Sequence, residues 1–273
     1  MKKLIFVLSL ATVLPLSTAW AQLQAPNDAC VAMGHLHLLV KDVEMNKKFW
    51  ITMGGTPVKF GAGEALKFPG VLILLRQGDP SGDGSVGSII NHVGFQVPNV
   101  EQAMPKWRAA GLTMEPPRRQ GQAYIYSPDN LRIEILENSA ISVPIQFHHI
   151  HYFVYQAIPS GSKDDPILQI QAWYAKMFGA KPGKRKQWEA DDLPGVNLTF
   201  ETSDTATVGT NGRVLDHIGL EVTGLEAFCK KAEANGAHFD THYTKRPELG
   251  LALAFLTDPW GTKIELTEGL NKL

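Results

Sequence analysis

Four histidines, His35, His92, His149 and His217, each open an apolar segment in which a valine follows five residues later, at Val40, Val97, Val154 and Val222. Two glutamates, Glu134 in RIEIL (132–136) and Glu265 in KIELT (263–267), stand at matching places with apolar neighbours on both sides. A carboxylate flanked in this way either points to solvent or is paired inside, because burying an isolated charge is costly. Any one of these residues alone reads as a polar group at a strand end. Their recurrence in two otherwise diverged halves is not something packing requires. Two imidazoles and a carboxylate on one face suit Fe(II), Mn(II), Zn(II) or Ni(II), with coordination positions left open for a substrate.

The elements that must carry these residues repeat. Residues 91–112 (NHVGFQVPNVEQAMPKWRAAGL) align with 216–237 (DHIGLEVTGLEAFCKKAEANGA), 33–54 with 148–181, and FPGVLILL (68–75) with LPGVNLTF (193–200). Four units therefore begin near residues 33, 90, 148 and 215. Helical periodicity predicts helices over Val43–Met53, Val100–Ala110, Ile167–Phe178 and Leu225–Ala234. Alternation or short apolar runs predict strands over 56–60, 71–75, 123–126, 132–136, 252–256 and 263–267. Each unit reads β-α-β-β-β, so the expected class is α+β, with four βαβββ modules paired into two half-barrels of curved sheet. The third unit carries a Pro-, Gly-, Ser- and Asp-rich insertion at 157–166, the composition of a surface loop.

Composition bounds the rest. The 273 residues are 44% hydrophobic and 19% charged, an ordinary globular balance. Lys2 and Lys3, the apolar run 4–16 and Ala19-Trp20-Ala21 have the layout of a cleaved signal peptide over residues 1–21, which implies export to the periplasm or outside the cell. The apolar run is shorter than the ~20 residues a spanning helix needs, so no membrane association of the mature chain is expected. Removing Lys2 and Lys3 takes the formal charge from −1 to −3, which gives no basic excess for nucleic acid. The two cysteines, Cys30 and Cys229, allow at most one bridge and form no disulfide framework.

The His-x4-Val opening of a βαβββ module, together with DPWGTKIEL (258–266) closing one, resembles the vicinal oxygen chelate superfamily of glyoxalases, extradiol dioxygenases, epimerases and resistance proteins. The resemblance covers nearly the whole mature chain. It implies that two modules form one cup around one divalent ion. Carried over by position, domain 33–138 would use His35, His92 and Glu134, and domain 147–270 would use His149, His217 and Glu265, with up to two ions per chain.

The fourth ligand usual in glyoxalase I falls at Leu74 or Thr199, and Glu201 takes that place only if its strand slips. The tyrosine that extradiol dioxygenases place ten residues before the glutamate is matched by Tyr124, but by Phe255 in the second half. Glu115 and Arg246 stand near the places of the dioxygenase acid/base histidine, with His242 close by. His37 and His151 add a second histidine where the even modules have Gly94 and Gly219. Strand geometry puts each on the ligand face, opposite a glycine that leaves it room, as a fourth ligand or an acid/base group. The expected function is an exported metal-dependent enzyme whose small substrate chelates the ion through adjacent oxygens, nearer to an extradiol dioxygenase than to a glyoxalase-like lyase or isomerase. A non-catalytic binding or resistance protein is the rival. Homodimerisation stays open.

Overall fold

The computed structural model describes residues 23–155 and 164–273. The leader read over 1–21 and most of the inserted 157–166 segment lie outside the described residues. Each module has the order expected. The first has β1 (Val31–Val40), α1 (Val43–Met53), β2 (Thr56–Phe60), β3 (Gly63–Phe68) and β4 (Val71–Gln77). The second has β5 (Ile90–Val97), α2 (Val100–Ala109), β6 (Thr113–Met114), β7 (Gln122–Tyr126) and β8 (Arg132–Glu137). The third has β9 (Gln146–Tyr155), α3 (Pro166–Phe178), β10 (Lys181–Arg185), β11 (Trp188–Leu193) and β12 (Val196–Ser203). The fourth has β13 (Leu215–Val222), α4 (Leu225–Ala234), β14 (Phe239–Arg246), β15 (Leu251–Thr257) and β16 (Lys263–Glu268). Helices α1 and α2 start where side chains cap them: Asp42 and Asn99 accept the amides of Met45 and Gln102.

Two eight-stranded sheets result, and their composition corrects the expected pairing. One sheet runs β14-β15-β16-β13-β1-β4-β3-β2 and joins the first module to the fourth. The other runs β10-β11-β12-β9-β5-β8-β7-β6 and joins the second to the third. The stretches 33–138 and 147–270 therefore do not each close a sheet of their own. The seams are the antiparallel pairs β1–β13 and β5–β9. All four opening strands carry the same pattern, so β5 is as compatible with β9 as with β1. The short stretch 138–145 brings the chain back beside β5, and β1 is then completed by β13.

Period-two alternation divides each opening strand between two environments. Leu36, Leu38, Ile150, Tyr152, Ile218 and Leu220 face a buried core, while the histidines between them face the other way into the cup. Each such side chain contributes about 1.5–3 kcal/mol on full burial, so the apolar face fixes the register and the histidines follow. One continuous core serves both sheets: Trp50 of α1 lies 5.9 Å from Phe68 in the first sheet and 6.0 Å from Phe95 in the second. Cys30 is exposed, Cys229 is buried, and both are free thiols. Among the described residues no helix is long and apolar enough to cross a membrane.

Candidate metal centres

The sheet pairing redistributes the ligand-type residues. Cup 1, in the sheet of modules one and four, gathers His35, His37, His217 and Glu265. Cup 2, in the other sheet, gathers His92, His149 and His151 beside Glu134. The sets His35/His92/Glu134 and His149/His217/Glu265 expected from contiguous halves are thus not the ones that meet. All six residues do sit in a cup, in the combinations His35/His217/Glu265 and His92/His149/Glu134.

In cup 1, Glu265 Oε2 lies 2.9 Å from Nε2 of both His35 and His217. Asp216 Oδ1 holds the far nitrogen of His217, Nδ1, at 2.6 Å. Burial alone would raise the Glu265 pKa, but its bonds to His217 and His35 outweigh that and hold it well below the usual carboxylate range. Burial likewise pulls His217 down, whereas Asp216 and Glu265 together lift it above its ordinary value. His37 is different. Burial, then the neighbouring His217 and His35, push it down to about 3, and neither of its ring nitrogens has a hydrogen-bond partner.

In cup 2, Glu134 Oε2 lies 3.0 Å from His149 Nε2 and 3.6 Å from His92 Nε2. Asn91 Oδ1 holds His92 Nδ1 at 2.9 Å, in the place Asp216 has in cup 1. His151 Nδ1 is 3.2 Å from His92 Nε2. Burial is the main cause that pushes His92 to about 4 and His149 well below its usual value. Glu134 is held far below the carboxylate range because its bonds to His149 and His92 overcome the effect of burial.

The glycines play another part than expected. In the seams, His35 pairs with Gly219 and His149 with Gly94, whereas His37 pairs with His217 and His151 with His92. A Cβ on Gly219 would overlap the His35 ring, and one on Gly94 the His149 ring. The glycines therefore make room for the first histidine of each pair, which crosses over them to reach the glutamate on the next strand. His37 and His151 pack instead against His217 and His92 as tilted ring pairs, at centroid separations of 4.4 and 4.6 Å.

The surroundings of the two cups have diverged position by position. Phe60 and Arg185 both end the strand that follows the module's helix. Leu74 and Thr199 sit beside His37 and His151. Phe255 and Tyr124 sit across from Glu265 and Glu134. Leu253 and Gln122 come two residues before those aromatics. In cup 1 the four residues are apolar, and a cavity of about 320 Å³ opens over the cluster, with Arg76, Arg246 and Lys263 in its lining. In cup 2 they are polar and reach the cluster. Tyr124 and Gln122 donate to Glu134, Arg185 Nη2 approaches His151 Nδ1 to 3.3 Å, and the Tyr124 hydroxyl is raised by burial and then by Glu134. Glu201 reaches His151 Nε2 at 3.0 Å without any strand slip, since it pairs regularly with Phe153.

Neither Glu115 nor His242 joins a cup: Glu115 pairs with Arg118 and Arg132, and His242 is exposed beside Glu233. Sequence reasoning missed Asp216, Asn91, Arg185 and Gln122. The first two had a legible signal, a polar residue directly before each even-module histidine.

Both donor sets fit a divalent ion. Besides the His37 nitrogens, His35 Nδ1 is buried without a hydrogen-bond partner, while His149 Nε2, His151 Nε2 and Glu134 Oε2 are buried with only imidazole–carboxylate ion-pair contacts at 3.0 Å. Leaving such an atom unpaired costs about 1–3 kcal/mol, and a cation would satisfy those that point into a cup. In cup 1 one ligand atom from each of His35, His37, His217 and Glu265 lies within 4.8 Å of the others, close enough to share one ion.

No family model and no curated protein matches the chain. Solved structures do. Glyoxalase I from Zea mays superposes with a TM-score of 0.68 at 14% identity, over 89% of this chain and 94% of that one. A putative dioxygenase from Bacillus subtilis gives 0.63 at 14% identity, over 91% and 86%. The fosfomycin resistance protein FosX from Listeria monocytogenes aligns at 24% identity over 39% of this chain and 89% of its own, with a TM-score of 0.32.

Proposed function

We propose, for a chain that has the vicinal oxygen chelate fold, that cup 1 is the working centre of a divalent-metal-dependent enzyme whose small substrate binds through adjacent oxygens. The observation that carries this reading is the cavity of about 320 Å³ opening directly on His35, His37, His217 and Glu265. His35, His217 and Glu265 would hold the ion, which supplies a Lewis acid to polarise the bound oxygens. The protein's own groups account for the rest. Glu265 is kept ionised by its two histidines, and Asp216 fixes the tautomer of His217 so that Nε2 faces the centre. His37 stands beside the cluster with both ring nitrogens free of hydrogen bonds, placed to exchange a proton with a bound hydroxyl or with carbon next to a carbonyl. Leu74, Leu253 and Phe255 exclude water from the apolar part of the substrate.

Between reaction classes, the apolar wall suits an aromatic diol and a dioxygenase-like oxidation. Phe255 in place of a tyrosine favours the second reading, a lyase or isomerase. The basic start, apolar core and Ala-Trp-Ala site support an exported enzyme.

Mn(II)-loaded chain titrated with catechol and with an α-hydroxyketone, followed by the EPR signal of the ion, tests the assignment. We expect a saturable change that His217→Ala abolishes and His92→Ala preserves. A change lost only in His92→Ala would place the chemistry in cup 2. Oxygen uptake with iron, or turnover with zinc or nickel, separates the two reaction classes.

A further inference from the structure

At the mouth of cup 2 lies a cleft of about 540 Å³, bordered by Gln96, Arg119, Gln120, His148, Arg185 and Lys186 among others. Its cations come from opposite edges of one sheet. Arg119 precedes β7 next to the β6 edge, while Arg185 and Lys186 form the turn that leaves the β10 edge. Among the described residues, neither Arg119 nor Lys186 has a carboxylate within ion-pair distance. Glu137, the acid in the lining, is committed to the amide of Val100 at 3.0 Å. The carboxylate nearest Arg185 is Glu134 at 3.9 Å, already engaged by His149, Tyr124 and Gln122. Neutral acceptors aim the two guanidinium groups without neutralising them: Arg119 Nε donates to Gln122 Oε1 at 2.8 Å and Arg185 Nε to Thr199 Oγ1 at 2.7 Å.

A second observation concerns the backbone. Lys186 has φ of 59°, in the left-handed region, and the equivalent residue of the first module, with φ of 55°, is Gly61. That conformation is free for glycine and strained for lysine, so the fold by itself favours glycine at this turn. A lysine held there against its backbone preference, next to two arginines, is a positioned charge. Burial and the charges of Arg119 and Arg185 push its amine below the usual value, the mark of cations crowded on one concavity.

We propose that this cleft is an oxyanion site, in which Arg119, Arg185 and Lys186 take a carboxylate, phosphate or phosphonate group on a small ligand. The guanidinium forks supply paired donors and the lysine a point charge. Arg185 also touches His151 at 3.3 Å, so the bound anion sits against cup 2. The inference is independent of the function proposed for cup 1.

Calorimetric titration of the purified chain with inorganic phosphate, methylphosphonate and acetate, at constant ionic strength set with chloride, tests it. One saturable site per chain is expected for at least one of the three, and the ranking tells carboxylate from phosphorus oxyanions. Lys186→Gly relieves the strained backbone, so the variant should fold at least as well as the parent, yet bind the anion at least ten-fold more weakly. Arg119→Gln should weaken it similarly. Arg246→Gln, which removes a cation at the rim of cup 1, should leave the titration unchanged, as should His217→Ala, which disables any ion in that cup. Absence of saturable binding of all three anions overturns the proposal. So does binding that survives Lys186→Gly undiminished, or that falls equally in Arg246→Gln, since either marks diffuse surface charge.

Discussion

Gly219 faces His35 across the β1–β13 seam, and the space where a side chain of Gly219 would stand is filled by the His35 imidazole on its way to Glu265. The same relation holds between Gly94 and His149 in cup 2. Replacing Gly219 by alanine must therefore displace the ring, because backbone on both sides is fixed by ladder hydrogen bonds. We expect Gly219→Ala to cost about 1–3 kcal/mol, the usual range for overpacking a tight site, and to remove metal from cup 1. Urea denaturation with metal analysis checks this; a variant that folds and holds metal like the parent would falsify the crossing geometry.

Module pairing makes a second, sharper expectation. If cup 1 is His35, His217 and Glu265, then His35→Ala and His217→Ala each remove the same ion, and the double variant removes no more than either. His35→Ala with His92→Ala removes both. Pairing by contiguous halves predicts the reverse, with His35 and His92 acting on a single ion. Equilibrium dialysis against Mn(II) or Zn(II) counts the equivalents in the parent and the four variants. A parent that binds one equivalent only would limit metal to one cup, and the single variants would identify it.

How much of this was legible in the sequence follows from what repetition can encode. Period-two alternation around His35, His92, His149 and His217 fixed the strand, its buried face and the ligand face, and RIEIL and KIELT placed the glutamates. The choice of partner strand was hidden, since β1, β5, β9 and β13 present near-identical edges, and a one-dimensional pattern cannot say which edge meets which. His37 was correctly placed on the ligand face, but Gly219 was paired with the wrong histidine because antiparallel register at the seam depends on bulges next to His35 and His37. Arg185 was invisible as a site residue. It lies far from every histidine motif in the chain and arrives only when β10 becomes the sheet edge over cup 2.

Acid should destabilise the metal-free chain through its buried histidines. His37, at about 3, and His92, at about 4, are neutral in the fold but take up protons near 6.5 when unfolded. Their contribution is present above the unfolded value and is lost as pH falls toward the folded one. Each contributes a slope of about 1.4 kcal/mol per pH unit once the pH is well below 6.5. His217, raised above its ordinary value, works in the opposite sense: its contribution is present at low pH and fades as pH rises through the folded pKa. Glu134 and Glu265, both lowered, add to the acid loss below the usual carboxylate range. His148, His149 and His151 are lowered as well, so the depressed histidines outweigh the one raised one and give a net decline from pH 6.5 downward. Denaturant titrations at several pH values check it, and His37→Asn should flatten the curve; stability that is level between pH 6.5 and 5 contradicts the assignment.

The last expectation concerns the residues behind the ligands. Asp216 presents a full carboxylate to His217 Nδ1 at 2.6 Å, with Lys263 and Arg76 at 3.5 and 3.6 Å from its oxygens, while Asn91 presents a neutral carbonyl to His92 Nδ1 at 2.9 Å and shares it with Arg132 Nη1 at 3.2 Å. A carboxylate in this place makes the imidazole a stronger donor than a neutral amide oxygen does. Cup 1 should accordingly hold the ion more tightly than cup 2. Asp216→Asn converts one arrangement toward the other with little change in shape, and loss of such a partner costs about 10–100-fold in metal affinity. Asn91→Asp should move cup 2 in the other direction, helped by the nearby Arg132. Competition against a chromophoric chelator, in His92→Ala and His217→Ala backgrounds that isolate each cup, measures both changes. Equal affinities for the two cups, or an Asp216→Asn variant that binds like the parent, would show that these partners only fix ring orientation and do not set the strength of the donor.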